Sequence, residues 1–208
     1  MAIMKRTRLS PDERRSQLIE LGVSMLSGRP LSQISVDEIA DQAGVSRGLL
    51  FHYFSSKDEY HLAIVDHISQ EMLESTAPPD GLGPIETLMS TLTAYVDYVS
   101  ANRTTYVSLL RGTASGDPAT RAVFERTRDA MVDRTLAQLP LVGIEPTPLI
   151  HLAIRGWIAF CEEATVHWLR DELLSREELI ALLTRALPAV ALGPDDAAAL
   201  LAERSTAP

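Results

Sequence analysis

Arg47, Gly48, Phe51 and His52 are the residues of this 208-residue chain whose types and spacing suit a defined chemistry, the reading of base edges in a DNA major groove. Arginine is the commonest bidentate partner of guanine, and an aromatic side chain packs on the methyl group of thymine. A glycine among them lets the backbone approach closely. Other constellations fail on spacing. Glu162 and Glu163 are adjacent, so on a helix they point about 100° apart and form no acid/base pair by themselves. His151, Cys161 and His167 lie at spacings of 10 and 6 on one helical stretch, which puts them on different faces rather than around one ion. His61 and His67 fail in the same way. No glycine-rich phosphate loop follows a strand, because no strand pattern is present. No catalytic residue, metal ligand or cofactor is therefore expected.

The elements that must position Arg47 and its neighbours are two short helices and a tight turn. Val36, Ile39, Ala40 and Ala43 recur at i, i+3, i+4 and i+7, which is one face of a helix. Ser35 and Glu38 form the capping box that starts it. Gly44 stops it, since glycine takes the left-handed conformation without steric cost. Ser46 caps the second helix, which runs to about Tyr53. Val45 and Leu49 are expected to pack back on the first helix and Phe54 to enter the core, leaving Arg47, Gly48, Phe51 and His52 outward. Downstream, Ser56 and Glu59 make another capping box, with Lys57 in the first turn of the next helix. A helix N-terminus that carries a lysine binds phosphate well.

The run AxxAGVSRGLLFHYFSSKDEY resembles the DNA-binding domain of the TetR family of transcriptional regulators. The resemblance spans about residues 9–72, and the pattern Gly-Val-Ser-x-Gly-x-Leu-x-x-Tyr-Phe-x-x-Lys is specific. Residues 157–192 carry a weaker likeness. The resemblance implies that Arg47 reads bases, that Gly48 admits the DNA backbone, and that Ser46, His52 and Tyr53 lie against it. It also implies that Ser35 and Lys57 stand at phosphate-binding helix starts. Phe51 occupies a position where the family usually has a tyrosine; it keeps apolar contact with thymine and lacks the hydroxyl.

Charge is partitioned along the chain. Residues 1–60 hold 8 Lys/Arg and 8 Asp/Glu, whereas residues 61–208 hold 11 and 20, so the net charge of −9 falls entirely outside the reading head. A neutral head binds DNA if its bases cluster on one face. Hydrophobic content of 46% with 23% charged residues fits a globular protein rather than a disordered one. The single cysteine, Cys161, allows no intrachain disulfide and fits a reducing compartment. The N-terminus has no apolar core for a signal peptide, and no apolar run reaches the ~20 residues of a membrane span. A cytoplasmic location is expected.

The remaining signals are all helical. A basic arm with Lys5, Arg6 and Arg8 precedes Ser10-Pro11-Asp12-Glu13, which opens a helix that Gly28 and Pro30 end. A helix from Lys57 to about Ser75 carries Tyr60, Ile64, Ile68 and Met72 on one stripe. After a loop rich in Pro and Gly come helices over about 84–101, 103–111 and 118–139. Two more follow over 148–173, after Thr147-Pro148, and 175–192, where Ser175 and Glu178 form a further capping box. The tail from Pro194 is alanine-rich.

The fold class expected is all-α with about nine helices: an N-terminal three-helix domain with a helix-turn-helix (1–55) and a helical ligand-binding and dimerisation domain (56–208). The expected function is a dimeric repressor that releases a palindromic double-stranded operator on binding a small molecule. An activator or a regulator controlled by a partner protein is the alternative, and an enzyme or carrier with a vestigial head a remote one. The homodimer is expected through the helices at 148–173 and 175–192, with Leu152, Gly156, Ala159 and Ala164 facing Leu179, Leu182, Leu183 and Leu187. Tyr95, Tyr98, Tyr106, Leu110, Met131, Arg155, Trp157, Phe160 and Glu163 are the candidate lining of an effector pocket, and they favour a mainly apolar ligand with a polar handle.

Overall fold

The computed structural model describes residues 9–171 and 173–193. The expectations for the basic arm and for the alanine-rich tail therefore lie outside the described residues. Among the described residues there are nine α-helices and no strand: α1 (Pro11–Leu26), α2 (Val36–Ala43), α3 (Arg47–Tyr53), α4 (Lys57–Ser75), α5 (Pro84–Ala101), α6 (Arg103–Arg111), α7 (Pro118–Leu136), α8 (Pro148–Asp171) and α9 (Arg176–Ala191). The chain packs as two compact units, one of Met1–Ile68 with Thr104–Arg121 and one of Ser69–Arg103 with Ala122–Pro208.

Local sequence sets the helix ends. The hydroxyls of Ser10 and Ser175 accept from the backbone N–H of Glu13 and Glu178, each at 3.2 Å, and both glutamates answer with 2.7 Å bonds to the backbone of the serine. Asp117 and Thr147 cap α7 and α8 by accepting from Thr120 and Ile150 at 2.7 and 3.2 Å. The box before α4 is shifted by one residue. Ser56 accepts from the N–H of Glu59 at 3.0 Å, but the carboxylate of Glu59 reaches the N–H of Ser55 at 2.7 Å. Helix α7 ends at Leu136, short of the expected Leu139, and a single 3-10 turn follows over Leu139–Val142. Another 3-10 turn, Leu31–Gln33, lies where the sequence signalled only a stop; it carries Leu31 into the core. Turns this short have no periodicity to read.

The first unit is built around Leu18, Leu26, Ile34, Ile39, Leu50, Phe54, Tyr60 and Ile64, all fully buried. Helices α1 and α4 meet closely at Gly22, where a Cβ would stand 2.4 Å from Cδ1 of Ile64 and 2.6 Å from the Tyr60 hydroxyl. That hydroxyl donates to the carbonyl of Leu18 at 2.7 Å, and burial pushes the phenol pKa up, so it stays a donor. Phe54 meets Tyr60 edge-on at 4.9 Å, and the Arg15 guanidinium lies 5.1 Å from the centre of the Phe54 ring.

The second unit packs α9 against α5 and α8, with Leu92, Val96, Val99, Ile154, Ile158, Leu179 and Leu183 in its core. The indole N–H of Trp157 donates to the carbonyl of Leu183 at 3.0 Å, tying α8 to α9. Arg134 of α7 donates to the carbonyls of Leu73 and Thr76 at 2.9 and 3.0 Å, satisfying the open C-terminal end of α4. Arg176 pairs with Asp97 at 2.6 Å and fixes the start of α9 on α5.

Candidate nucleic-acid interface

Helices α2 and α3 meet through a turn whose geometry follows from its residues. Gly44 sits at φ 63°, ψ 36°, in the left-handed region, and its N–H bonds back to the end of α2. Ser46 is extended, and its hydroxyl accepts from the N–H of Leu49 at 3.1 Å, which starts α3. Ser35 does the same for α2, accepting from Asp37 at 3.2 Å. From this start the inward positions of α3 are Leu50 and Phe54, both fully buried. Leu49, expected in the core, is 37% exposed. The reason is the phase of the helix: with Leu50 and Phe54 one turn apart on the inner side, Leu49 is rotated about 100° away.

Arg47, Gly48 and His52 are exposed, and Phe51 and Tyr53 are half-buried beside them. A Cβ on Gly48 would meet only the Ser46 hydroxyl, at 3.9 Å. The packing of the head itself does not call for a glycine there. The Nη1 of Arg47 donates to the two carboxylate oxygens of Asp37 at 3.1 and 3.2 Å. Its guanidinium also lies 5.5 Å from the centre of the Phe51 ring. His52 and Tyr53 stack edge-on at 5.5 Å. Lys57 is exposed at the start of α4, and its Nζ donates to the carbonyl of Ser32 at 3.3 Å. Ser35, Ser46, Arg47, Gly48, Phe51, His52, Tyr53 and Lys57 thus fall on α2, α3 and the start of α4 within one compact unit.

His61, behind this face on α4, donates from Nε2 to the carbonyl of Ile34 at 3.3 Å. Burial holds its pKa below the usual histidine value. The Ile34 carbonyl opposes this, while Lys57 lowers and Asp58 raises it. Sequence reasoning did not single out Asp37. An acidic residue in the first turn of a helix is ordinary, and its contact with Arg47 depends on how α2 and α3 cross.

The body residues named from the sequence fall in both units. Tyr106 and Leu110 belong to the first unit; the other seven belong to the second. Tyr95 and Trp157 are buried, Tyr98 and Met131 half-buried, and Glu163 exposed. The Tyr98 hydroxyl lies 3.5 Å from the Glu71 carboxylate, and burial raises its pKa. Arg155 is ion-paired with both Glu125 and Asp129. Arg128 joins the same group, bonding Glu162 at 2.8–3.0 Å and Glu125 at 2.7 Å. Phe160 is 40% exposed and shares the outer face of α8 with Leu149, Leu152, Gly156 and Ala159. Leu179 and Leu183, expected in the dimer seam, are buried in the core of their own chain, because α9 turns that stripe toward α5 and α8. Thr165 was not anticipated. It is fully buried on the inner stripe of α8, and its hydroxyl has no hydrogen-bond partner among the described residues.

Among the described residues no group of His, Cys, Asp and Glu is arranged to hold a metal ion, and no helix is long and apolar enough to cross a membrane. Known proteins match both parts of the chain. The family model for bacterial regulatory proteins of the tetR family matches residues 18–64, and the model for the tetracyclin repressor-like C-terminal domain matches residues 84–190. The transcriptional activator FasR of Mycolicibacterium smegmatis is 25% identical over 168 residues, 79% of this chain and 76% of that protein. The regulator EthR of Mycobacterium tuberculosis is 38% identical over 61 residues, 29% of this chain and 28% of EthR. A TetR-family regulator from Streptomyces coelicolor superposes with a TM-score of 0.77 at 29% identity, covering 95% of this chain and 87% of that one. FadR from Bacillus subtilis, solved with stearoyl-CoA, shares the fold at TM-score 0.62 and 17% identity, over 85% of this chain and 97% of its own. With the helix-turn-helix and the helical body each matched to models of one family, the chain belongs to the TetR family of DNA-binding transcriptional regulators.

Proposed function

We propose that this regulator is a homodimer that reads a palindromic operator through α3 and lets go of it when the body binds a small molecule. The observation that carries the DNA reading is the open side of α3. Arg47 and His52 stand exposed there, around a glycine that the head's own packing does not require. The test is a gel shift on the duplex upstream of its own gene. Arg47→Ala should cost ~1–3 kcal/mol and relax base choice at one position. Lys57→Ala should weaken binding to all sequences and reduce the salt slope by about one. Both variants binding like the parent would sink the docking.

The outer face of α8 supports the dimer. Leu149, 74% exposed, lies in line with Leu152, Gly156 and Phe160, and on α9 Leu182 and Val190 are also exposed. Two such helices from each chain make a four-helix bundle across a two-fold axis. The heads would then meet half-sites ~34–36 Å apart. Light scattering of Leu152→Arg should return a monomer, and a dimer there would reject this face.

The effector is proposed to be mainly apolar with a polar handle. Thr165 supports a handle, since a buried hydroxyl without a partner is about 1–3 kcal/mol short of a satisfied one. FadR, of the same fold, was solved with stearoyl-CoA, a ligand whose acyl chain is apolar. Such a molecule must bind the DNA-incompetent state more tightly, or it shifts nothing. A second reading, activation, is favoured by the match to the activator FasR over 79% of this chain. In vitro transcription from the bound promoter separates the two: a repressor lowers the transcript and an activator raises it.

A further inference from the structure

We infer that Asp37 is a specificity-determining residue that positions Arg47 for base reading. The inference rests on the proposal that Arg47 reads the operator. Asp37 lies in the first turn of α2 and Arg47 in the first turn of α3, so the contact crosses from one helix to the other. Nη1 alone is engaged, by the two carboxylate oxygens at 3.1 and 3.2 Å. The other edge of the guanidinium, Nε and Nη2, makes no hydrogen bond to another described residue. That edge is a two-donor fork, which is what the O6 and N7 of a guanine accept. The Phe51 ring, 5.5 Å away, restrains the guanidinium from a second direction.

The pair is not a stability device. The side chains are 63% and 60% exposed, and ion pairs at such exposure contribute little to folding. Nor is Asp37 required to start α2, because Ser35 and Glu38 form the capping box and Glu38 supplies a carboxylate in the same turn. What the carboxylate does change is the behaviour of the arginine toward DNA. A free arginine binds any phosphate it reaches. An arginine already neutralised on one edge gains less from phosphate and keeps its other edge for a base. Asp37 also places a negative charge on the face that meets the backbone, which weakens binding to unspecific sequence. Asp37 therefore exchanges some total affinity for discrimination.

The test uses the full chain and a duplex site recovered by in vitro selection from a random pool with the unaltered protein. Affinity is measured for that site and for random duplex with the parent, Asp37→Ala, Asp37→Asn, Arg47→Ala and Asp37→Ala/Arg47→Ala. Arg47→Ala should lower the site-to-random ratio about tenfold or more. Asp37→Ala should lower it by a similar factor while random DNA is bound more tightly, and Asp37→Asn, which keeps an acceptor oxygen, should fall between. The double variant should match Arg47→Ala, since the two residues act as one unit. Replacing the read guanine by 7-deazaguanine removes N7; this should weaken the parent and leave Asp37→Ala nearly unaffected. An Asp37→Ala ratio equal to the parent's, or losses that simply add in the double variant, overturns the inference alone. An Arg47→Ala ratio equal to the parent's overturns the base reading and the inference with it.

Discussion

Two glycines of the head show how differently its closed seam and its open face are built. At Gly22, between α1 and α4, a Cβ would stand 2.4 Å from Ile64. At Gly48, on α3, nothing lies closer than 3.9 Å. The first glycine serves the fold and the second faces outward. Ion pairs divide along the same line. Arg128 and Glu162, linking α7 to α8, are only 23% and 22% exposed and share three hydrogen bonds. Arg47 and Asp37 are largely in solvent. Half-buried contacts of this kind hold helices together, whereas exposed ones leave a surface free to meet a partner.

Changes in the seam should therefore show up in stability, and changes on the open face in binding. The largest effect is expected from Gly22→Val, which forces two methyl groups against Ile64 and Tyr60. A loss of about 3 kcal/mol is expected in urea unfolding, and a parent-like midpoint would mean that α1 and α4 separate without cost. Next is Glu162→Gln. It leaves the half-buried Arg128 guanidinium short of a charged partner, although Glu125 remains, so about 2 kcal/mol should be lost. Operator binding by the folded protein should be unchanged in that variant.

Gly48→Ala inverts the pattern. The helix should gain about 0.5–1 kcal/mol, because alanine is the better helix former. Operator affinity should fall about tenfold as the methyl group holds the DNA backbone off, ~1.4 kcal/mol of binding. Parent-like affinity in gel shifts would show that DNA does not approach α3 at this point. The smallest effect concerns pH. His61 has a pKa below the unfolded value of about 6.5, so the unfolded chain binds the proton first. Stability should be intact above that value and should decline as the pH falls below it. His61→Gln should flatten this part of the profile in thermal melts, and an unchanged profile would exclude His61 as its source.

The sequence by itself determined the helices and the identity of the head. Caps at Ser10, Ser35, Ser46, Thr147 and Ser175, and the stop at Gly44, are local chemistry, decided within a few residues by hydrogen bonds and by the freedom of glycine. The helix-turn-helix was legible for the same reason, since its turn and caps lie in one short run. Tertiary structure alone decided which side of each helix is used. Leu49 and Leu50 are both apolar, and only the docking of α3 on α2 within the head buries one and exposes the other. Leu179 and Leu183 entered the core rather than a seam because α9 lies against α5 and α8. The Asp37–Arg47 pair and the close approach at Gly22 likewise join residues from different helices. Periodicity fixes which residues share a face; what that face meets depends on chain crossings that no local pattern encodes.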